Sequence, residues 1–283
     1  MASVQRVVRA NATADAIRLI DSTSVRLSSL SEGWATFSAN VFGAKAHIVY
    51  DPNADRPVYF AVTPANVNDI TAAKAMPIEP GATYVYDLGY YDYSWWAGLD
   101  EAGCRFVTRL KKNTPFAAVH DNRVATNGNI LSDRIGHLPA RLASNRRNPL
   151  QVPVREIRVI IETGKMLRIV TNDLDAPANE IAELYKQRWQ IELFFRWVKQ
   201  TLRIKRFIGV SENAVRIQIA IALIAFLLLR LAQAAQNAIR SPLDFVRLVR
   251  VNLMQRRQID RLLEPLQPIL ICPNQLKLGL YFK

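Results

Sequence analysis

The stretch from Tyr185 to Lys199 constrains this chain most, because its residues divide between two faces of one helix. At roughly 100° per residue, three polar residues fall within roughly 60° of Tyr185: Arg188, Glu192 and Lys199. This polar face is predicted to point away from the packing, where a ligand can reach it. The opposite side carries an apolar stripe that suits a core: Ile191, Phe194 and Val198.

The polar face has two interpretations. A carboxylate flanked by two cations and an aromatic ring suits a site that holds a metal ion on Glu192 and phosphates on Arg188 and Lys199. An ordinary charged surface helix has the same pattern, since Arg188 and Glu192 are i,i+4 partners worth about 0.3 kcal/mol. The stretch by itself leaves both interpretations open.

Composition narrows the class of partner. The 283-residue chain carries a formal net charge of +13 and has a pI near 10.0, and half of its residues are hydrophobic. Such a chain can bury a sizeable core, and its cations favour a polyanionic partner, of which nucleic acid comes first. Cys104 and Cys272 have neither disulfide nor zinc-ligand spacing, so a reducing, cytoplasmic setting is predicted.

The longest apolar run argues against a membrane partner. It extends from Ile219 to Leu229, about eleven residues, whereas a helix needs about 20 to cross a bilayer. The run is therefore predicted to form a buried helix.

Two acidic residues, Asp21 and Asp87, each follow a short apolar run that reads as a strand. Neighbouring strands would set their carboxylates side by side. A cation of the magnesium type takes several oxygen ligands, so these acids are the candidate partners of Glu192. Three converging carboxylates would hold two ions about 3.5 to 4 Å apart, the arrangement used in phosphodiester displacement. Each Asp alone also fits a helix cap or a plain turn.

Two hairpins are predicted, one from residues 44–50 and 58–63 and one from 154–161 and 166–171. Lys45 and His47 alternate onto one face of the first hairpin. They could approach the metal site, but ordinary strand residues would show the same alternation.

Taken together, these residues resemble a known family. Asp21, in Leu-Ile-Asp-Ser-Thr, and Asp87, in Tyr-Asp-Leu-Gly-Tyr, resemble the first and second catalytic Asp of DDE transposases of the insertion-sequence-four family. The resemblance covers roughly residues 15 to 240. Four spaced residues match that family's Tyr-Arg-Glu-Lys signature: Tyr185, Arg188, Glu192 and Lys199.

The resemblance implies an α/β fold. Its parts would be an RNase H-like mixed sheet core, a β-rich insertion between the second Asp and the catalytic Glu, and a helical carboxyl-terminal region. The expected divisions are the first part of the core, the insertion, the core helix that completes the site, and the helical region: 1–112, 113–172, 173–212 and 213–283.

The resemblance also implies a DNA transposase that works by cut-and-paste transposition through a DNA hairpin. The implied cofactor is Mg²⁺, or Mn²⁺, bound as two ions, and the implied partners are double-stranded transposon ends and target DNA, held by a homodimer. The implied catalytic residues and metal ligands are the three carboxylates Asp21, Asp87 and Glu192. The implied contacts to the DNA strand at the cleavage site are Tyr185, Arg188 and Lys199.

Two other functions fit the same residues. An RNase H-like nuclease or resolvase would use the carboxylates only for hydrolysis, and an inactive transposase remnant would bind DNA through charge alone. Members of the family usually carry a DNA-binding region before the first Asp, and only twenty residues precede Asp21 here. An amino-terminally truncated copy is therefore expected.

Overall fold

The computed structural model describes residues 16–125, 128–141, 146–201, 207–236, 239 and 241–252. The chain up to Ala225 forms one compact unit, and the chain from Phe226 forms another. The candidate site residues all belong to the first unit.

The described strands form a single ten-stranded sheet of mixed direction. Its path is β2-β3-β1-β5-β6-β10-β9-β8-β7, and β4 pairs with β3. The strands β1 and β3, and β3 and β4, are antiparallel, whereas β5 runs parallel to both β1 and β6. The bounds are β1 Ile17–Arg26, β2 Thr36–Ser38, β3 Val41–Asp51, β4 Arg56–Pro64, β5 Thr83–Val85, β6 Arg105–Arg109, β7 Ala117–Asp121, β8 Ile130–His137, β9 Val154–Ile160 and β10 Met166–Thr171.

Helices accompany the sheet, and the longest of them crosses the boundary between the two units. Short 3₁₀ turns occupy Ser29–Ser31 and Leu88–Tyr90. The helix bounds are α1 Glu32–Ala35, α2 Asp69–Lys74, α3 Tyr93–Glu101, α4 Ala178–Gln187, α5 Trp189–Thr201, α6 Glu212–Ala234 and α7 Pro242–Asn252.

The two faces of the sheet have different partners, because successive side chains of a strand point in opposite directions. Ile20 of β1 belongs to a core cluster that also contains Trp95 and Trp96 of α3. Thr23 and Val25 point the other way and share a small apolar cavity with residues of α5. Strand β1 therefore separates an aromatic core from the helix that carries Glu192.

The mixed α/β class predicted from the sequence is confirmed, and so are both hairpins, β3–β4 and β9–β10. The predicted β-rich stretch is built as an extension of the same sheet, because β10 pairs with both β6 and β9. Its boundaries as a separate insertion stay a prediction.

The apolar run near residue 219 forms part of α6, and the prediction that it is buried is only partly right. Ile219 and Leu223 are buried, whereas Ile221, Ile224 and Leu228 are more than half exposed. The apolar run was predicted to be too short for a membrane span, but α6 has 23 residues and is long and apolar enough to cross a membrane, with 28% of its apolar window buried. A single such helix is weak support for a span.

Candidate active site

Asp21 and Asp87 lie at the same end of two neighbouring interior strands, as predicted. The parallel pairing of β1 with β5 ends at Leu19 and Val85, and both acids lie just beyond it. The Asp87 carboxylate accepts a hydrogen bond from the Gly89 backbone N–H at 2.8 Å and so caps the 3₁₀ turn after β5. The two carboxylates therefore belong to the same end of neighbouring parallel strands.

The prediction that β1 ends at Asp21 is wrong. The strand continues to Arg26, and Asp21 pairs with Ile48 of β3 in the middle of it. Asp21 is nevertheless open on one side, since β5 is short and stops before it. Asp21 is therefore exposed because the neighbouring strand β5 stops before it, and not because β1 turns there.

The predicted single helix of residues 185–199 is divided in two at Arg188. This residue keeps helical dihedral angles, φ −49° and ψ −30°, but its N–H bonds to Tyr185 O three residues back, at 3.2 Å. Such i−3 bonds tighten the turn. The apolar stripe is confirmed, since it is buried against the core: Ile191, Phe194 and Val198.

Arg188 joins the helix to the strand. Its guanidinium lies 2.7 Å from a Glu192 carboxylate oxygen and 3.9 Å from an Asp21 carboxylate oxygen. Its Nε is buried without a hydrogen-bond partner in the described part of the chain. The polar face was predicted to point away from the packing; instead Arg188, with a side chain only 17% exposed, faces the sheet edge and Asp21.

Asp21 is affected by burial and by the charges around it. Burial raises the pKa of Asp21 to about 6, and the negative charges of Asp87 and Glu192 add to the rise. The Ser22 backbone N–H and the Arg188 charge act in the opposite direction. A cation next to Asp21 would favour its charged form.

The other two residues of the polar face have different surroundings. Tyr185 is only 7% exposed, its ring lies 5.9 Å from the Arg188 guanidinium carbon, and burial raises the pKa of its hydroxyl. The charges of Arg109 and Arg188 oppose that rise. Lys199 lies further along α5 and lines an apolar cavity of about 20 Å³.

Carboxylate oxygens are the type of ligand that a divalent metal of the magnesium type takes. Within the described ranges, no group of three or more His, Cys, Asp or Glu residues is arranged to enclose an ion. The Arg188 guanidinium, in contact with both Asp21 and Glu192, supplies the positive charge between them.

A fourth carboxylate, Asp69, was missed by the sequence analysis. Its Oδ1 accepts hydrogen bonds from Ser22 Oγ at 2.8 Å and from Lys45 Nζ at 3.1 Å, and His47 Nδ1 lies 3.8 Å away. Lys45 and His47 therefore contact Asp69 on the face of β1 that packs on α3, and no side-chain contact of either with Asp21, Asp87 or Glu192 is found in the described part of the chain. Asp69 opens α2, and an acid in the first turn of a helix is too common to indicate a site.

Comparison with known proteins decides the family. Residues 12–228 match the family described as Transposase DDE domain. This chain belongs to that family.

Two relatives of this chain are also named as transposases. The chain is 43% identical over 250 residues to a putative transposase, y4zB, of Sinorhizobium fredii (strain NBRC 101917 / NGR234), covering 88% of this chain and 70% of that protein. It is 30% identical over 237 residues to the probable transposase for insertion sequence element IS5377 of Geobacillus stearothermophilus, covering 83% of this chain and 61% of that protein.

A solved structure, the piggyBac transposase synaptic complex with hairpin DNA, is similar to this chain with a TM-score of 0.49 at 10% identity. The similarity covers 88% of this chain and 56% of that one.

Proposed function

We propose that this transposase domain cleaves DNA at the ends of a mobile element and transfers the strands to target DNA by a cut-and-paste route. Asp21, Asp87 and Glu192 would carry the chemistry. The observation that supports this most is that Arg188 pairs with Asp21 of a strand and with Glu192 of a helix, while Asp87 follows the neighbouring parallel strand.

The three carboxylates would hold Mg²⁺ or Mn²⁺, as two ions. When bound, the metal would lower the pKa of the attacking water or 3′-hydroxyl and stabilise the leaving oxygen. Arg188 would then be available to a DNA phosphate, since a guanidinium can bind a phosphate bidentately and its Nε has no partner among the described residues. Tyr185 and Lys199 would contact the DNA strand beside it.

The finer assignment is also a proposal. It places the chain in the insertion-sequence-four branch, with an RNase H-like core that the antiparallel β4-β3-β1 and parallel β1-β5-β6 pairings support. The divisions 1–112, 113–172, 173–212 and 213–283, a homodimer on paired DNA ends, and action in the cytoplasm belong to the same proposal.

A reaction with a duplex that contains the element's terminal repeat tests this function. With Mg²⁺, we expect a nick at the repeat, then hairpin formation and joining to target DNA. Nicking without hairpin or joined products would instead assign a nuclease. Binding without any nick, under conditions where a related active transposase reacts, would assign a remnant.

A further inference from the structure

A basic groove opens at the end of the sheet that carries Asp87. It has a volume of about 510 Å³, and four cations line it: Arg109, Lys112, Lys165 and Arg168. Among the described residues, no carboxylate is part of its lining. A concave surface with one sign of charge concentrates ligands of the opposite sign.

The groove is continuous with the candidate site. Arg109 ends β6, and its neighbour Thr108 donates a hydrogen bond to the Asp87 backbone oxygen at 3.4 Å. Arg109 also lies close enough to Tyr185 for its charge to affect the pKa of that hydroxyl. A polyanion bound at Tyr185 and Asp87 could therefore continue into the groove without leaving the protein surface.

One cation shapes the groove and two are available to a ligand. Arg168 is largely buried and donates to the carbonyl oxygens of Lys111, Lys112 and Thr114 at 3.0, 2.8 and 2.9 Å, which fixes the loop after β6. Lys112 and Lys165 are exposed, and neither pairs with a carboxylate in the described part of the chain. A rigid frame thus presents two free ammonium groups.

We propose that this groove binds the phosphate backbone of duplex DNA next to the cleavage site, without reading its bases. The inference rests on the proposed function. Lysine suits the role because its ammonium group is a point charge on a flexible stem, which attracts phosphate without a fixed orientation. The groove would hold any sequence, as contact with flanking or target DNA requires.

Affinity for a short duplex of unrelated sequence, measured in EDTA over about 50 to 200 mM salt, tests the groove independently of cleavage. Each phosphate contact contributes about 0.9 to the slope of log affinity against log salt, or roughly 3.5-fold over that range. We expect Lys112→Ala and Lys165→Ala each to make this negative slope shallower by about 0.9, and the double variant by about 1.8.

Arg56→Ala is the matched control, because Arg56 is an exposed cation at the start of β4, which β3, β1 and β5 separate from β6 in the sheet. It should leave the slope nearly unchanged. If the lysine variants have the same slope as Arg56→Ala, the groove does not bind DNA, while the transposase proposal still stands. A wild-type protein that binds no duplex at all would overturn both.

A second inference comes from Asp69, on the other face of the sheet. Its hydrogen bond holds Ser22, and the Ser22 backbone N–H donates to the Asp21 carboxylate at 2.7 Å. Ser22 and Asp21 are successive strand residues, so Asp69 reaches Asp21 from behind the strand and not from the metal side. Lys45 and the buried His47 pack around the same carboxylate.

We infer that Asp69 is a positioning residue, which fixes the Asp21 carboxylate for metal binding through Ser22. This also rests on the proposed function. Partners that orient metal ligands typically contribute 10- to 100-fold to metal affinity. The Mn²⁺ concentration that half-saturates thermal stabilisation of the protein should therefore rise about 10- to 100-fold in Asp69→Ala. Asp69→Asn keeps an acceptor for Ser22 and should lie between Asp69→Ala and the wild type.

Two further variants separate positioning from other roles. Ser22→Ala leaves Asp69 in place but breaks the link, so it should reproduce the loss; unchanged Mn²⁺ affinity in Ser22→Ala would overturn the inference. Asp121→Ala removes an exposed acid of β7 and should leave the affinity for Mn²⁺ unchanged. If Asp69→Ala fails to fold, Asp69→Asn with wild-type affinity for Mn²⁺ would be equally decisive against it. A wild-type protein without Mn²⁺ stabilisation would contradict the proposed metal site as well.

Discussion

A Glu192→Gln variant should nick a transposon-end duplex at least about 1000-fold more slowly than the wild type. The metal contribution to phosphodiester cleavage amounts to several kcal/mol, and each 1.36 kcal/mol is a tenfold change in rate. Glutamine keeps the size of the side chain but loses the negative charge that binds the metal and pairs with Arg188 at 2.7 Å. Rates of strand cleavage at saturating Mg²⁺ provide the measurement.

The same loss is expected for Asp21→Asn and Asp87→Asn, while duplex affinity in EDTA should stay within a fewfold of the wild type. Glu183→Gln is the matched control, because Glu183 is an exposed acid of the preceding helix α4 that also pairs with a nearby cation, Lys186, at 3.9 Å. It should cleave at the wild-type rate. Wild-type cleavage by all three site variants would show that these carboxylates are not the active site.

The parts of this site that the sequence predicts depend on local patterns. The apolar stripe of α5 follows from helical periodicity, and the strand before Asp87 and the β9–β10 hairpin follow from short apolar runs between turn residues. These signals lie within a few residues of one another. The structure therefore agrees with them closely.

The parts that the sequence could not predict depend on distant residues. Asp69 is 47 positions from Ser22 in the chain, and their hydrogen bond exists only because the fold brings the start of α2 next to β1. The length of β1 beyond Asp21 depends on pairing with β3 and on where β5 stops. Pairings of this kind are decided by the whole sheet and leave no short-range pattern.

The break at Arg188 also changes how the Tyr-Arg-Glu-Lys face is understood. On a single ideal helix, all four residues would share one solvent-facing stripe. In the structure, Tyr185 and Arg188 are mostly buried at the sheet edge, Glu192 is partly exposed, and Lys199 lies beside an apolar cavity. The four signature residues thus have different surroundings and do not form one uniform face of a helix.

A buried cluster of charged residues that includes Arg168 of the groove is expected to stabilise this region of the fold. Glu156 is fully buried on β9 and forms ion pairs with three arginines, one on its own strand and one on each of the neighbouring strands β8 and β10: Arg158, Arg134 and Arg168. Burial alone would raise the pKa of Glu156, but hydrogen bonds and charges from these arginines hold it below its ordinary value. The carboxylate is therefore the anion that three otherwise repelling cations share.

Glu156→Gln should lower the free energy of unfolding by about 3 to 5 kcal/mol, since removing one partner of a buried ion pair leaves the other charge uncompensated. Because the folded-state pKa is depressed, the stabilisation is complete above the unfolded value of about 4.3 and is lost as pH falls through the folded value. The difference in unfolding free energy between wild type and variant should thus be constant near neutral pH and shrink below about pH 4.

Denaturant unfolding at several pH values measures this difference. The control is Glu162→Gln, which changes an exposed acid and should lie within about 0.5 kcal/mol of the wild type. A loss as small as that of Glu162→Gln would mean that the arginines are satisfied by solvent, and that the loop held by Arg168 is less firmly fixed than the groove requires.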